Sequence, residues 1–247
     1  MRITSGGGKI KGIIIAGGVG TRLDPLTKTT NKHLLPVYNK QMIFYPLETL
    51  INSGIKDVLI ISCRNHVGQF LKLLGSGYDL GLNISYTIQE KPLGIAHAIW
   101  VGLREFAKEE NVFVILADNI FEDTFKSDII YFKKGAKIFL VDVDNPKDFG
   151  VAETKRNKVI SLEEKPKEPK SNFAVTGAYI FDKTTYDKID KLPLSKRGQV
   201  EITDLLNLFL KENNLEFRYL YGNWFDMGTF ESLFEASSFV RSRRGIE

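Results

Sequence analysis

Residues 11–36 read KGIIIAGGVGTRLDPLTKTTNKHLLP, an apolar run that breaks into glycines and then into spaced cations. Gly12 to Ala16 is apolar and β-branched, as a strand buried on both faces requires. Gly17, Gly18 and Gly20 follow at once, and a chain without Cβ atoms lets backbone N–H groups turn toward a phosphate. Thr21 closes the loop, Arg22 adds a planar cationic fork, and Lys32 adds a mobile charge before Leu34-Leu35-Pro36. Two cations and an amide-rich loop at one strand end predict a polyphosphate site. Two commoner glycine loops fit poorly. Counting G-x-G-x-x-G from Gly18 ends on Leu23, and Thr21-Arg22 stands where a P-loop closes with Gly-Lys. On the residues alone, a tight turn with incidental cations stays open as the alternative.

The 247 residues are 43% apolar and 26% charged, as in an ordinary globular chain, and long enough for one large α/β domain. A net charge of +4 is too small to imply nucleic acid as a partner, and a phosphate cleft accounts for part of it. No apolar run approaches a membrane span and no signal segment opens the chain, so a cytoplasmic protein with no membrane partner is expected. One cysteine, Cys63, cannot form an internal disulfide. Met1–Gly8, with its Ser-Gly-Gly-Gly, is read as a flexible extension or tag remnant.

Beyond the loop, Met42–Ser53 and Val67–Leu74 have helical apolar spacing and stop at Gly54 and Gly75. Asp57–Ser62 and Asn83–Thr87 are strands, and the alternation predicts a parallel sheet wound by right-handed crossovers. Ligands of such sheets sit beyond the strands' carboxyl ends, where the glycine loop falls. Gln89 follows the third strand, and a helix opens at Gly94 and runs to about Glu105. Asn111–Ala117 predicts a central strand that delivers Asp118 at its tip, a costly place for a carboxylate without a cation. A structural Asp capping the next turn is the plainer reading. Ala136–Val143 and Phe173–Asp182 are further strands, Asp148–Thr154 and Lys158–Leu162 a hairpin, and Tyr186–Leu192 a helix. Glu163-Glu164-Lys165 reads, by itself, as a solvated charge cluster. Gln199–Glu212 is an amphipathic helix with Arg197 and Glu201 at its start, and Leu215–Leu220 is a last strand. Asp226 sits in a glycine-containing turn, and Thr229 can cap the closing helix Phe230–Arg241.

The segments GGVGTRLDPLT, NKHLLP, YPLETLINSGI, LADNIF, ISLEEKPKEPKSNFAVTGAYIFD, GQVEITDLLN and WFDMGT together resemble the sugar-1-phosphate nucleotidyltransferases over nearly the whole chain. Within that family the likeness is greatest to members that act on dTTP and glucose-1-phosphate. The resemblance implies a single Rossmann-like α/β domain over residues 9–247, with a mixed, mainly parallel sheet flanked by helices and a smaller β-rich part. Nucleotide binding would fall in residues 9–135 and sugar-phosphate binding in residues 136–230. It implies nucleotide contacts from Gly17, Gly18, Gly20, Thr21, Arg22, Gln89, Gly94 and Asp118, and sugar-phosphate contacts from Gly150, Glu164, Lys165, Val175 and Arg197. Arg22, Lys32 and Lys165 would be catalytic, Asp118 and Asp226 would hold Mg²⁺, and a homo-oligomer is the usual assembly.

The implied reaction is attack of a sugar-1-phosphate oxygen on a triphosphate α-phosphorus, which requires charge neutralisation and positioning and no enzyme nucleophile. Gln89 offers one donor and one acceptor to the imide edge that thymine and uracil share, so a UTP-dependent uridylyltransferase is the alternative. A catalytically silent sugar-nucleotide sensor is the other, though every expected charged residue is present. The chain departs from the family pattern at Phe149 (usually Tyr), Ala117 (usually Gly) and Met227 (usually Thr). It also stops soon after the closing helix, where longer members carry a helical segment tied to an effector site, so product feedback of that kind is not assumed for this chain.

Overall fold

The structure is a computed structural model that describes residues 10–18 and 20–244; the extension expected at Met1–Gly8, and Val19 in the glycine loop, lie outside the described residues. The chain opens with β1 (Ile10–Ala16), the short β2 (Pro36–Val37) and β3 (Lys40–Gln41), and α1 (Phe44–Asn52). It continues through β4 (Asp57–Ser62), α2 (Val67–Leu74), β5 (Asn83–Ile88), α3 (Ile95–Gly102), β6 (Asn111–Leu116), β7 (Asn119–Phe121) and α4 (Lys126–Tyr131). Then come β8 (Ala136–Asp142), β9 (Gly150–Lys155), β10 (Lys158–Glu164), β11 (Phe173–Phe181), α5 (Thr185–Ile189) and α6 (Ile202–Lys211). β12 (Leu215–Tyr219), β13 (Trp224–Asp226) and α7 (Phe230–Arg244) close it. The central sheet is mixed, in the order β10-β9-β11-β6-β1-β4-β5, with β8 joined to β11 and β12 to β8. Among the described residues, no helix is long and apolar enough to cross a membrane.

Two compact units alternate along the chain: of the described residues, those within 12–92, 115–126 and 222–244 form one, and the rest the other. In the first, β1, β4 and β5 are parallel and in register, so that Ala16, Ser62 and Ile88 end level with one another. Ile13, Ile14, Val58, Ile60 and Ile61 are wholly buried, which is why these strands read as continuous apolar runs. α1 and α2 are the crossovers, and Gly54 and Gly75 turn the chain at positive φ after each. The residues that leave the three strand ends therefore sit side by side.

A second cluster in this unit joins Val37, Met42, Tyr45, Ile120, Met227 and Ala236, with Phe225, Leu233 and Val240 against it. Met227, the residue that departs from the family pattern, is thus a core side chain, fully buried beneath α7. Thr229 starts α7 as expected: its hydroxyl accepts from the Ser232 N–H at 3.2 Å, and the Ser232 hydroxyl accepts from the Thr229 N–H at 3.1 Å.

In the other unit, β8 and β11 are antiparallel, β12 lies parallel to β8, and β9 and β10 form the expected hairpin. Arg156 and Asn157, both at positive φ, make its two-residue turn. α6 buries Ile202, Leu205, Leu206 and Phe209, as its spacing predicts. Three local expectations are corrected. The helix expected at Tyr186–Leu192 is only Thr185–Ile189, because Pro193 disfavours helical backbone at Leu192. The helix expected to reach Glu105 loosens into a π-turn over Leu103–Ala107. Trp224–Asp226, expected as a turn, is a strand, because it finds an antiparallel partner in Asn119–Phe121.

Candidate functional site

Cation and carboxylate meet at the level strand ends of the first unit. Gly17 leaves β1, and an added Cβ there would come within 3.2 Å of Gln89 Oε1, which leaves β5. The buried Gln89 is held by its backbone N–H, which donates to Ser62 O at 2.9 Å. Thr21 and Arg22 form a short 3₁₀ turn after Gly20, and both are exposed. Gly20 has φ of 73°, and a Cβ on it would stand 2.9 Å from both Lys32 Cβ and Thr27 Cγ2. Only glycine suits that position, since the conformation and the space are both closed to larger residues.

Lys32 does not point to open solvent. Its ammonium forms an ion pair with Asp118, and the two side chains are only 11% and 12% exposed. Burial opposes the charge on Asp118, but the Lys32 ammonium and the neighbouring His33 outweigh it, and the carboxyl is held below the ordinary range. Removing one partner of so enclosed a pair leaves the other charge stranded, at a cost of about 3 kcal/mol or more. The expected cation at the tip of the central strand is therefore present, and it is a lysine.

Asp226 is brought to the same place by β13. It pairs with Asn119 across β7, and the next residue, Met227, donates its N–H to Asp118 O at 2.8 Å. Phe225 and Met227 on either side are packed in the cluster under α7, so the backbone carrying Asp226 is anchored. Gly228 is what lets Arg22 approach: a Cβ there would lie 2.5 Å from Arg22 Nη2 and 3.0 Å from Asp226 Oδ1. Among the described residues no cluster of three or more His, Cys, Asp or Glu could hold a metal. Two carboxylates are nevertheless a fitting donor set for Mg²⁺, which keeps waters and substrate oxygens for its remaining positions.

Asn31 and His33, which the sequence reading left out, secure the lysine between them. Asn31 Nδ2 donates to Ala16 O at 3.2 Å, tying the turn to the end of β1. Its Oδ1 accepts from the His33 N–H at 2.9 Å and lies 2.6 Å from His33 Nδ1. The recoverable signal was an asparagine before Lys-His-Leu, a typical N-cap for a short turn. His33 is buried, and burial, followed by the Lys32 charge, lowers its pKa from 6.5 to about 3. The folded protein binds that proton more weakly than the unfolded chain. Its stabilising contribution is complete above pH 6.5 and is lost as the pH falls toward 3. Acidification from pH 7 to 5 should therefore cost about 2 kcal/mol through His33. Urea melts at both pH values check this: His33→Gln should flatten the dependence, and an unchanged slope would refute the assignment.

The second unit gathers its own expected group. A Cβ on Gly150 would stand 3.4 Å from Thr203 Oγ1, 3.5 Å from Glu164 Oε2 and 3.9 Å from Val175 Cβ. Gly150, Glu164 and Val175 are thus neighbours, on β9, β10 and β11. Thr203 Oγ1 donates to Glu164 Oε2 at 2.6 Å, and Arg197 Nη2 donates to Glu164 Oε1 at 3.3 Å. Arg197 is held harder by Glu201, which accepts from Nε at 3.0 Å and Nη2 at 2.7 Å, and from Ser195 Oγ at 2.7 Å. Burial works against the Glu201 charge, yet these hydrogen bonds lower its pKa. Arg197 is therefore already balanced by two carboxylates. Lys165 is exposed, and no ion pair holds its ammonium among the described residues. Its backbone is at φ of 45°, a conformation that strains any residue but glycine, and its N–H donates to Phe149 O at 3.0 Å. Gly94 lies in this unit, with Val200 O 2.7 Å from where a Cβ would be.

Known proteins share this arrangement of chain. A family model described as nucleotidyl transferase matches residues 11–243. The glucose-1-phosphate thymidylyltransferase of Neisseria meningitidis serogroup A is 44% identical over 246 residues, 96% of this chain and 85% of that protein. The protein of the same name from Mycolicibacterium smegmatis is 42% identical over 247 residues, with the same shares. A crystal structure of a candidate glucose-1-phosphate thymidylyltransferase from Bacillus anthracis, in complex with a sucrose, has a TM-score of 0.90 at 44% identity. It covers 94% of this chain and 95% of that one. A UDP-glucose pyrophosphorylase complexed with UDP-glucose has a TM-score of 0.83 at 25% identity, covering 95% and 99%. With a family match across almost the whole described chain, the protein belongs to the nucleotidyl transferase family of enzymes.

Proposed function

We propose that the chain joins glucose-1-phosphate to dTTP, giving dTDP-glucose and pyrophosphate. The observation that carries this reading is the 42–44% identity to thymidylyltransferases over 96% of the chain. The charged groups gathered in each unit supply the chemistry that such a reaction needs. The loop amides of Gly17, Gly18, Gly20 and Thr21, with Arg22, would hold the triphosphate, and Lys32 would follow the charge of the departing pyrophosphate. Gln89 would pair with the imide edge of the base. Asp118 and Asp226 would hold Mg²⁺, which when bound neutralises phosphate oxygens beside the carboxylates. Glu164 would accept from sugar hydroxyls, and Lys165 and Arg197 would orient the sugar phosphate, with Lys165 supplying the uncommitted charge. The phosphate monoester is itself the nucleophile, so no side chain has to be activated for attack.

The test is pyrophosphate release from glucose-1-phosphate and Mg²⁺ with dTTP, UTP, GTP, CTP and ATP in parallel. Turnover should be greatest with dTTP. Preference for UTP would move the assignment to a uridylyltransferase, the reading that the 25% identical structural neighbour favours and the 44% identical thymidylyltransferase weighs against. No release with any nucleotide, using galactose- and mannose-1-phosphate as well, would overturn the transferase reading.

A further inference from the structure

We infer that Lys32 is the resident counter-ion of Asp118 in the ligand-free protein, and yields that carboxylate to a divalent cation only when a polyphosphate takes its ammonium. The identity of the two ligands rests on the nucleotidyl-transfer reading. The inference itself begins from charge. Asp118 and Asp226 carry two negative charges, and two positive charges stand against them: Lys32 in an ion pair with Asp118, and Arg22 beside Asp226 over Gly228. The carboxylates are thus balanced by the chain's own cations. A divalent cation arriving alone would meet two neighbouring positive charges in a partly buried place, where they are weakly screened. A divalent cation arriving with a triphosphate brings several negative charges, and Lys32 and Arg22 gain new partners as they leave the carboxylates.

Local structure divides Lys32 into a fixed base and a movable head. Asn31 ties the backbone before it to Ala16 O and the backbone after it to its own Oδ1. The stem crosses the glycine loop through space left open at Gly18 and Gly20, where a Cβ would come within 3.2 Å of Lys32 Cε and 2.9 Å of Lys32 Cβ. A flexible four-carbon stem from a fixed base lets the ammonium swing while the main chain stays in place. Because binding free energies are reciprocal, metal and nucleotide must then raise each other's affinity, and Lys32 is the residue through which they do so.

The experiment measures Mn²⁺ alone, with no nucleotide, binding to the full chain by the electron paramagnetic resonance signal of free Mn²⁺. Lys32→Met should bind Mn²⁺ about tenfold more tightly than the unaltered protein, or about 1.4 kcal/mol. Lys32→Arg keeps the charge and should stay within about threefold of the unaltered protein. Adding Asp118→Asn to Lys32→Met should abolish the gain. Circular dichroism confirms that each variant is folded. Mn²⁺ affinity that is unchanged or weaker in Lys32→Met, or a gain that survives Asp118→Asn, would overturn the inference. The readout contains no substrate, so a protein silent with every nucleotide but tighter for Mn²⁺ in Lys32→Met would sink the proposed activity and leave this inference standing.

Discussion

Asp118→Asn is expected to slow dTTP-dependent pyrophosphate release by about 10³-fold, near the upper end of what losing one electrostatic stabiliser costs. The substitution is nearly isosteric, so the size of the effect comes from charge. It removes one of the two carboxylates offered to the metal and, in the same stroke, the partner of Lys32. The lysine ammonium is left at 11% side-chain exposure with no counter-charge from Asp118, and the fold should lose about 3 kcal/mol. The two losses separate in the laboratory. Rates measured well below the variant's melting temperature report chemistry, and the Mg²⁺ concentration needed for half-maximal rate should rise. An Asp118→Asn protein that keeps a tenth or more of the rate at ordinary Mg²⁺ would remove Asp118 from the catalytic group.

Lys165→Met should lower kcat/KM for glucose-1-phosphate by about 10²-fold, or roughly 3 kcal/mol, while leaving dTTP affinity unchanged. The reason is the charge inventory around it. Arg197 already spends its fork on Glu201 and Glu164, so the neighbouring positive charge is balanced before a phosphate arrives. Lys165, just after β10, is exposed and in no ion pair among the described residues, so its charge is the one left for a phosphate. Arg197→Met should therefore act differently, by releasing Glu164 and Glu201 as well as by losing a donor, and should cost stability along with rate. Equal effects of Lys165→Met on glucose-1-phosphate and on dTTP would show that the lysine does not serve the sugar phosphate.

What could be read along the chain was what is written locally. The strand Gly12–Ala16, its glycine exit and the helices stopping at Gly54 and Gly75 follow from side-chain period and backbone freedom within a few residues, and the structure has them where expected. The hairpin β9–β10 and α6 were legible for the same reason. α5 ran short because Pro193 acts beyond its own position, and Trp224–Asp226 looked like a turn because three residues cannot announce a strand whose partner is distant.

The candidate site divides along the same line. By itself the sequence determined the residue types: a glycine loop with two cations, and carboxylates placed at strand ends. Only the tertiary structure decided how the charges are matched. Lys32 meets Asp118 across 86 residues, Asp226 reaches the same place through β13, and Arg197 is taken by Glu164 and Glu201. Pairing is a matter of distance in space and of burial, which strengthens a charge interaction and penalises a charge left alone, and neither is encoded in spacing along the chain.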